Sequence, residues 1–133
     1  MSSINRKLKT VLIVEDEEDI IEILRIAIEF NSDFSLHFAK TGPEGLQKAI
    51  ILQPDLILLD VLMPGMNGLE LIEELKIFPE TEGIPVAFIT SRVQKNEIQE
   101  YQKRGAIGVI EKPFAPLEIT AKIHSLWEQT YQS

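Results

Sequence analysis

Pro54-Asp55-Leu56-Ile57-Leu58-Leu59-Asp60-Val61-Leu62-Met63-Pro64-Gly65 is the stretch from which the rest of the chain can be read. Its unbroken apolar run, Leu56 to Leu59, is preceded by a polar residue and followed closely by Pro-Gly. This marks a strand covered on both faces, as the strands of a parallel sheet are. Asp60 closes the strand. A buried carboxylate costs free energy unless a cation, a metal ion or an open cleft offsets its charge, so one of these is expected at the strand's C-terminal edge.

Working outward, the same strand-then-helix unit recurs on both sides. Lys9 to Val14 is the first strand. The acidic run Glu15 to Asp19 leads into a helix through about Phe30, with Ile20, Ile23, Leu24 and Ala27 spaced as an inner face. Glu17, Glu18 and Asp19 suit the positive end of that helix. Glu15 and Asp16 stand at the strand exit, where side chains reach over the sheet edge. Phe34, Leu36 and Phe38 alternate with Ser35 and His37 as a half-covered strand, which makes His37 a surface residue. Thr41-Gly42-Pro43-Glu44 opens a helix through about Leu52, and Asn67-Gly68-Leu69-Glu70 opens another that Phe78-Pro79 stops. Ile84 to Ile89 forms a fourth strand ending in Thr90-Ser91. A polar helix from about Lys95 to Arg104 is closed by Gly105. Ile107 to Ile110 makes a fifth strand, and Pro116 suits the first turn of a last helix carrying Ile119, Ile123 and Leu126 inward.

Five alternations of strand and helix give a parallel sheet with helices on both faces, since each crossover is right-handed. At 133 residues this is one domain, residues 9–130, behind a short N-terminal tail, residues 1–8. The chain has no cysteine, so disulfide and thiolate chemistry are excluded. No stretch resembles a signal peptide or a membrane span, and a soluble, cytoplasmic protein is expected. With 21 acidic against 13 basic residues the net charge is −8. That balance opposes direct binding to nucleic acid or an anionic membrane and favours a cation or a protein partner.

The strand exits together carry Glu15, Asp16, Asp60, Thr90 and Lys112. If the first, third, fourth and fifth strands are neighbours, these side chains share one cleft. Three carboxylates so placed repel one another, and a hard divalent ion with oxygen ligands relieves them; Mg2+ is the expected one because it needs few protein ligands. Asp60 lies centrally and is the candidate nucleophile toward phosphorus. Glu15 and Asp16 would hold the metal. Lys112 would pair with the carboxylate at rest and with phosphoryl oxygens afterwards, and the Thr90 hydroxyl can turn to donate to them. Singly, each is an ordinary cap, loop or strand-end residue; jointly, at successive strand exits, they make a site.

Val14-Glu15-Asp16-Glu17, Leu59-Asp60 through Asn67-Gly68, Ile89-Thr90-Ser91 and Glu111-Lys112-Pro113-Phe114 resemble the receiver domain of two-component response regulators, from about Lys9 to Trp127. The resemblance implies a flavodoxin-like, doubly wound (βα)5 fold with strand order 2-1-3-4-5. It also implies that Asp60 accepts a phosphoryl group from a phosphohistidine of a sensor histidine kinase or phosphotransfer protein. Mg2+ would be held by Glu15, Asp16, Asp60 and the main-chain oxygen of Leu62, and the Lys112–Pro113 bond would be cis. Such a domain is a signalling module rather than an enzyme, with at most self-catalysed uptake and slow autodephosphorylation, since apolar Leu62 cannot orient a hydrolytic water. Where the family carries an aromatic switch three residues before the lysine, this chain has Val109. Its stiff side chain leaves no ring-sized gap, so switching is expected to be weakened or to run through the loop after Thr90.

With no effector following the last helix, the sequence reads as a stand-alone or excised receiver. Its output surface, by resemblance, is the fourth helix, fifth strand and fifth helix. Trp127 and Tyr131 are candidates for a partner contact or homodimer seam, against the plainer reading of helix-end packing. Competing readings are a Mg2+-dependent phosphohydrolase with an aspartyl-phosphate intermediate, a flavin-binding protein of the same fold, and a degenerate receiver that only docks. The first lacks the second Asp that such enzymes place at position 62. The second would set a phosphate against five acids.

Overall fold

The computed structural model describes residues 7–31 and 33–131, so most of the proposed tail, residues 1–6, lies outside the described residues. Five strands, β1 (Thr10–Val14), β2 (Ser35–Ala39), β3 (Leu56–Asp60), β4 (Val86–Thr90) and β5 (Val109–Glu111), form one parallel sheet in the order β2-β1-β3-β4-β5. Between and after them run α1 (Glu18–Asn31), α2 (Gly42–Leu52), α3 (Gly68–Ile77), α4 (Lys95–Lys103) and α5 (Ile119–Tyr131). This is the doubly wound arrangement expected. Pro116 differs from expectation in detail: it begins a short 3-10 turn, Pro116–Glu118, that precedes α5. The fifth strand also lies further along the chain than Ile107 to Ile110.

The twofold alternation of side chains divides each central strand between two cores. Val11, Ile13, Leu56, Leu58, Ala87 and Ile89 face one layer, completed by Leu24 and Ile28 of α1 and by Ile119, Ile123 and Trp127 of α5. Leu12, Val14, Ile57, Leu59 and Phe88 face the other, completed by α2, α3 and Tyr101 of α4. Covered on both sides, β3 and β4 are buried at every position. Leu8, assigned to the tail, is buried in the first layer.

The inner face of α1 is Ile21, Leu24, Ala27 and Ile28, while Ile23 is 41% exposed. Two overlapping frames fit a helix this rich in isoleucine, and the helix begins at Glu18, so packing rather than period selects the buried one. Trp127 is 3% exposed and belongs to the core beside Ile123, which removes it from any partner surface. Tyr131 is the last residue of α5.

Helix starts fix how the site's loops are aimed. Asn67 caps α3: its side chain accepts the Glu70 N–H at 2.9 Å, and Glu70 accepts the Asn67 N–H at 3.0 Å. Thr41 accepts the Glu44 N–H, but Glu44 reaches one residue further back, to the Lys40 N–H. Gly105, at φ +97, ends α4 in the left-handed region that glycine tolerates. Gly68 is required for closeness: a Cβ there would stand 2.4 Å from the Asp60 carbonyl oxygen. Gly68→Ala is therefore expected to push the start of α3 off the end of β3. The cost should be roughly 1–3 kcal/mol, read as a lower denaturant midpoint.

Candidate functional site

Because β1, β3, β4 and β5 are adjacent and parallel, their C-terminal ends open on one edge, and the chain turns there carry Glu15 and Asp16, Asp60, Thr90 and Lys112. Lys112 is the hub. Its ammonium donates to Glu15 Oε1 at 2.8 Å and to Asp60 Oδ2 at 3.3 Å. Carboxylate oxygens of Glu15, Asp16 and Asp60 lie within 4.8 Å of one another. Glu15 is 1% exposed and Asp60 4%, so most of this charge is out of water.

Desolvation by burial pushes the Glu15 carboxyl up to about 7; the Lys112 hydrogen bond opposes that rise, and the charge of Asp60 adds to it. Burial alone would lower the Lys112 ammonium, but its bonds to Glu15 and Asp60 and their charges reverse the direction and raise it. The lysine is thus held charged, with more than one acid to balance.

The remaining oxygens are also placed. Asp60 Oδ1 accepts the Leu62 N–H at 3.2 Å, so the backbone turns over the carboxylate immediately after the strand; the Leu62 side chain is 51% exposed. Glu15 Oε2 accepts the Glu17 N–H at 3.1 Å, which curls the chain back toward the site. As a result Glu17 Oε1 lies 3.7 Å from the Lys112 ammonium. From the sequence alone, Glu17 is expected to serve the positive end of α1. Its position two residues after Glu15 was the available signal, but only this tight turn makes it count. The Lys112–Pro113 bond is cis.

Buried Thr90 ends β4, and its hydroxyl accepts the Arg92 N–H at 3.0 Å. Arg92 itself turns to Glu97, 3.8 Å away.

The family model of the response regulator receiver domain matches residues 11–124. The chain belongs to the response regulator receiver family. The receiver is 33% identical, over 122 residues, to the phosphate regulon transcriptional regulatory protein PhoB of Pseudomonas aeruginosa, covering 92% of this chain and 53% of that protein. It is 31% identical over 118 residues to the alkaline phosphatase synthesis transcriptional regulatory protein PhoP of Bacillus subtilis, covering 89% of this chain and 48% of that one. It thus spans about half the length of these curated relatives. Among solved structures, the chemotaxis protein CheY4 of Vibrio cholerae superposes with a TM-score of 0.82 at 26% identity, covering 90% of this chain and 99% of that one. No helix among the described residues of the receiver is long and apolar enough to cross a membrane.

Proposed function

We propose that this receiver takes a phosphoryl group onto Asp60 from the phosphohistidine of a sensor histidine kinase or phosphotransfer protein, and passes the change to a protein effector. The observation that carries this is the convergence of three acids from two strand ends, two of them hydrogen-bonded to the part-buried Lys112 ammonium. In the transfer, an Asp60 carboxylate oxygen forms a bond to phosphorus as the phosphorus–nitrogen bond breaks. The imidazole leaves with the electron pair and takes up a proton. Lys112, already beside Asp60 Oδ2, would follow the negative charge onto the phosphoryl oxygens. The Leu62 N–H would hold the acyl oxygen left behind, and Thr90 would donate its hydroxyl to the new group.

The donor set suits a hard divalent ion: the three acids that meet here offer carboxylate oxygens, and three acids exceed what one ammonium balances. Glu15, Asp16, Asp60 and the Leu62 main-chain oxygen would hold Mg2+, which when bound supplies charge neutralisation for the entering phosphoryl oxygens. The test is incubation with acetyl phosphate and Mg2+ followed by intact mass; gain of one phosphoryl group is expected, and no gain overturns the reading. For output, the face formed by α4, β5 and α5 is the proposed contact, and the chain's overall net charge of −8 favours a protein over a polyanion as its partner.

Glu15 gives this reading a pH signature. Its folded pKa, about 7, lies above the ordinary 4.5, so the metal-free fold holds a proton that the unfolded chain releases. Its contribution to stability is therefore fully present below pH 4.5 and is lost as pH rises through about 7. A cation must displace the same proton. Mg2+ affinity, followed by calorimetry, is expected to fall about tenfold from pH 8 to pH 6, and Glu15→Gln should flatten that dependence.

A further inference from the structure

Val109 leaves β5 without the ring that the family places there, yet a ring does occupy that neighbourhood. It comes from α4. Tyr101, 3% exposed, packs against Phe88 with ring centroids 5.0 Å apart, in the same layer as Val109, which is paired in register with Phe88. Its phenol crosses to the loop after β4 and donates to the Arg92 carbonyl oxygen at 2.8 Å. The N–H of that same residue donates to Thr90 Oγ1 at 3.0 Å. Arg92 is thus held at both ends, by the hydroxyl that must turn toward a phosphoryl group and by a phenol rooted in α4. Burial pushes the Tyr101 hydroxyl up and the charge of Glu97 adds to this, while Thr90 and Arg92 pull the other way.

We propose that Tyr101 is a positioning residue for Thr90, a latch from α4 that holds the loop 91–94 in its resting place and must yield when Thr90 turns to the phosphoryl group. This rests on the phosphoacceptor reading and names its regulation. Thr90 Oγ1 cannot swing to Asp60 without releasing the Arg92 N–H. Arg92 cannot follow without moving its carbonyl from the phenol. The signal then passes into α4 along a hydrogen bond, with no ring moving on β5. The latch stabilises the resting state, so its removal should favour the activated one.

The test is Tyr101→Phe, which keeps the ring against Phe88 and removes only the hydroxyl. The probe is beryllofluoride, a phosphoryl mimic, titrated with Mg2+ present into wild type, Tyr101→Phe and Asp60→Asn. Tyr101→Phe is expected to bind the mimic roughly threefold to tenfold more tightly than wild type, the span of one hydrogen bond. The Arg92 amide resonance of the free protein should also shift, while the melting temperature changes by no more than a few degrees. Equal or weaker binding by Tyr101→Phe, with wild type binding normally, overturns the latch and leaves the phosphoacceptor reading intact. Failure of wild type to bind, indistinguishable from Asp60→Asn, overturns both.

Discussion

Asp60→Asn is expected to gain no phosphoryl group from acetyl phosphate under conditions where wild type gains one, a loss of roughly 10³-fold or more in uptake rate. The substitution is nearly isosteric, so β3, buried along its whole length, keeps its packing. What changes is the chemistry. A neutral amide oxygen is a poor nucleophile, and the charge that Lys112 meets at 3.3 Å is gone. Glu15 still holds the lysine at 2.8 Å, so the cleft should stay formed and the melting curve should remain cooperative. Intact mass reads the outcome directly. A phosphoryl group on the Asn variant would show that another residue is the acceptor, and peptide mapping would then point first to Asp16, which shares the cluster.

Lys112→Met should give the largest loss of folding stability among single changes at the site. It removes the only ammonium that the described residues bring to Glu15 and Asp60, and leaves two buried carboxylates facing each other. Breaking a buried ion pair from one side costs roughly 3–5 kcal/mol. Here about 2 kcal/mol is expected, because the cleft edge is open at Asp16 and Glu15 can take up a proton. The sign of the remedy is specific: the loss should shrink toward pH 5, where Glu15 is protonated, and shrink with added Mg2+. Denaturant midpoints at pH 5 and pH 8, with and without Mg2+, check this. A loss insensitive to both would place the role of Lys112 in packing rather than charge.

Much of the site was legible because strand exits in a parallel sheet share one edge. Once Leu56 to Leu59 is a two-sided buried strand, Asp60 has no other place to be, and the acids after Val14 and the lysine before Pro113 follow by the same rule. Capping residues gave the helix starts for a local reason: Thr41 and Asn67 bond to N–H groups three residues away.

What the sequence by itself determined is therefore the doubly wound fold, the acidic cluster and its lysine, since each rests on periodicity two, on local capping or on charge that cannot be buried alone. Only the tertiary structure decided which isoleucines of α1 point inward, that Trp127 is core, that Glu17 leans on Lys112, and that a tyrosine of α4 reaches the loop beside Thr90. These depend on side chains meeting across elements far apart in the chain, and no period or propensity encodes which partner lies opposite. A polar helix carrying one tyrosine reads as a surface helix until the sheet beneath it shows a valine where a ring would otherwise sit.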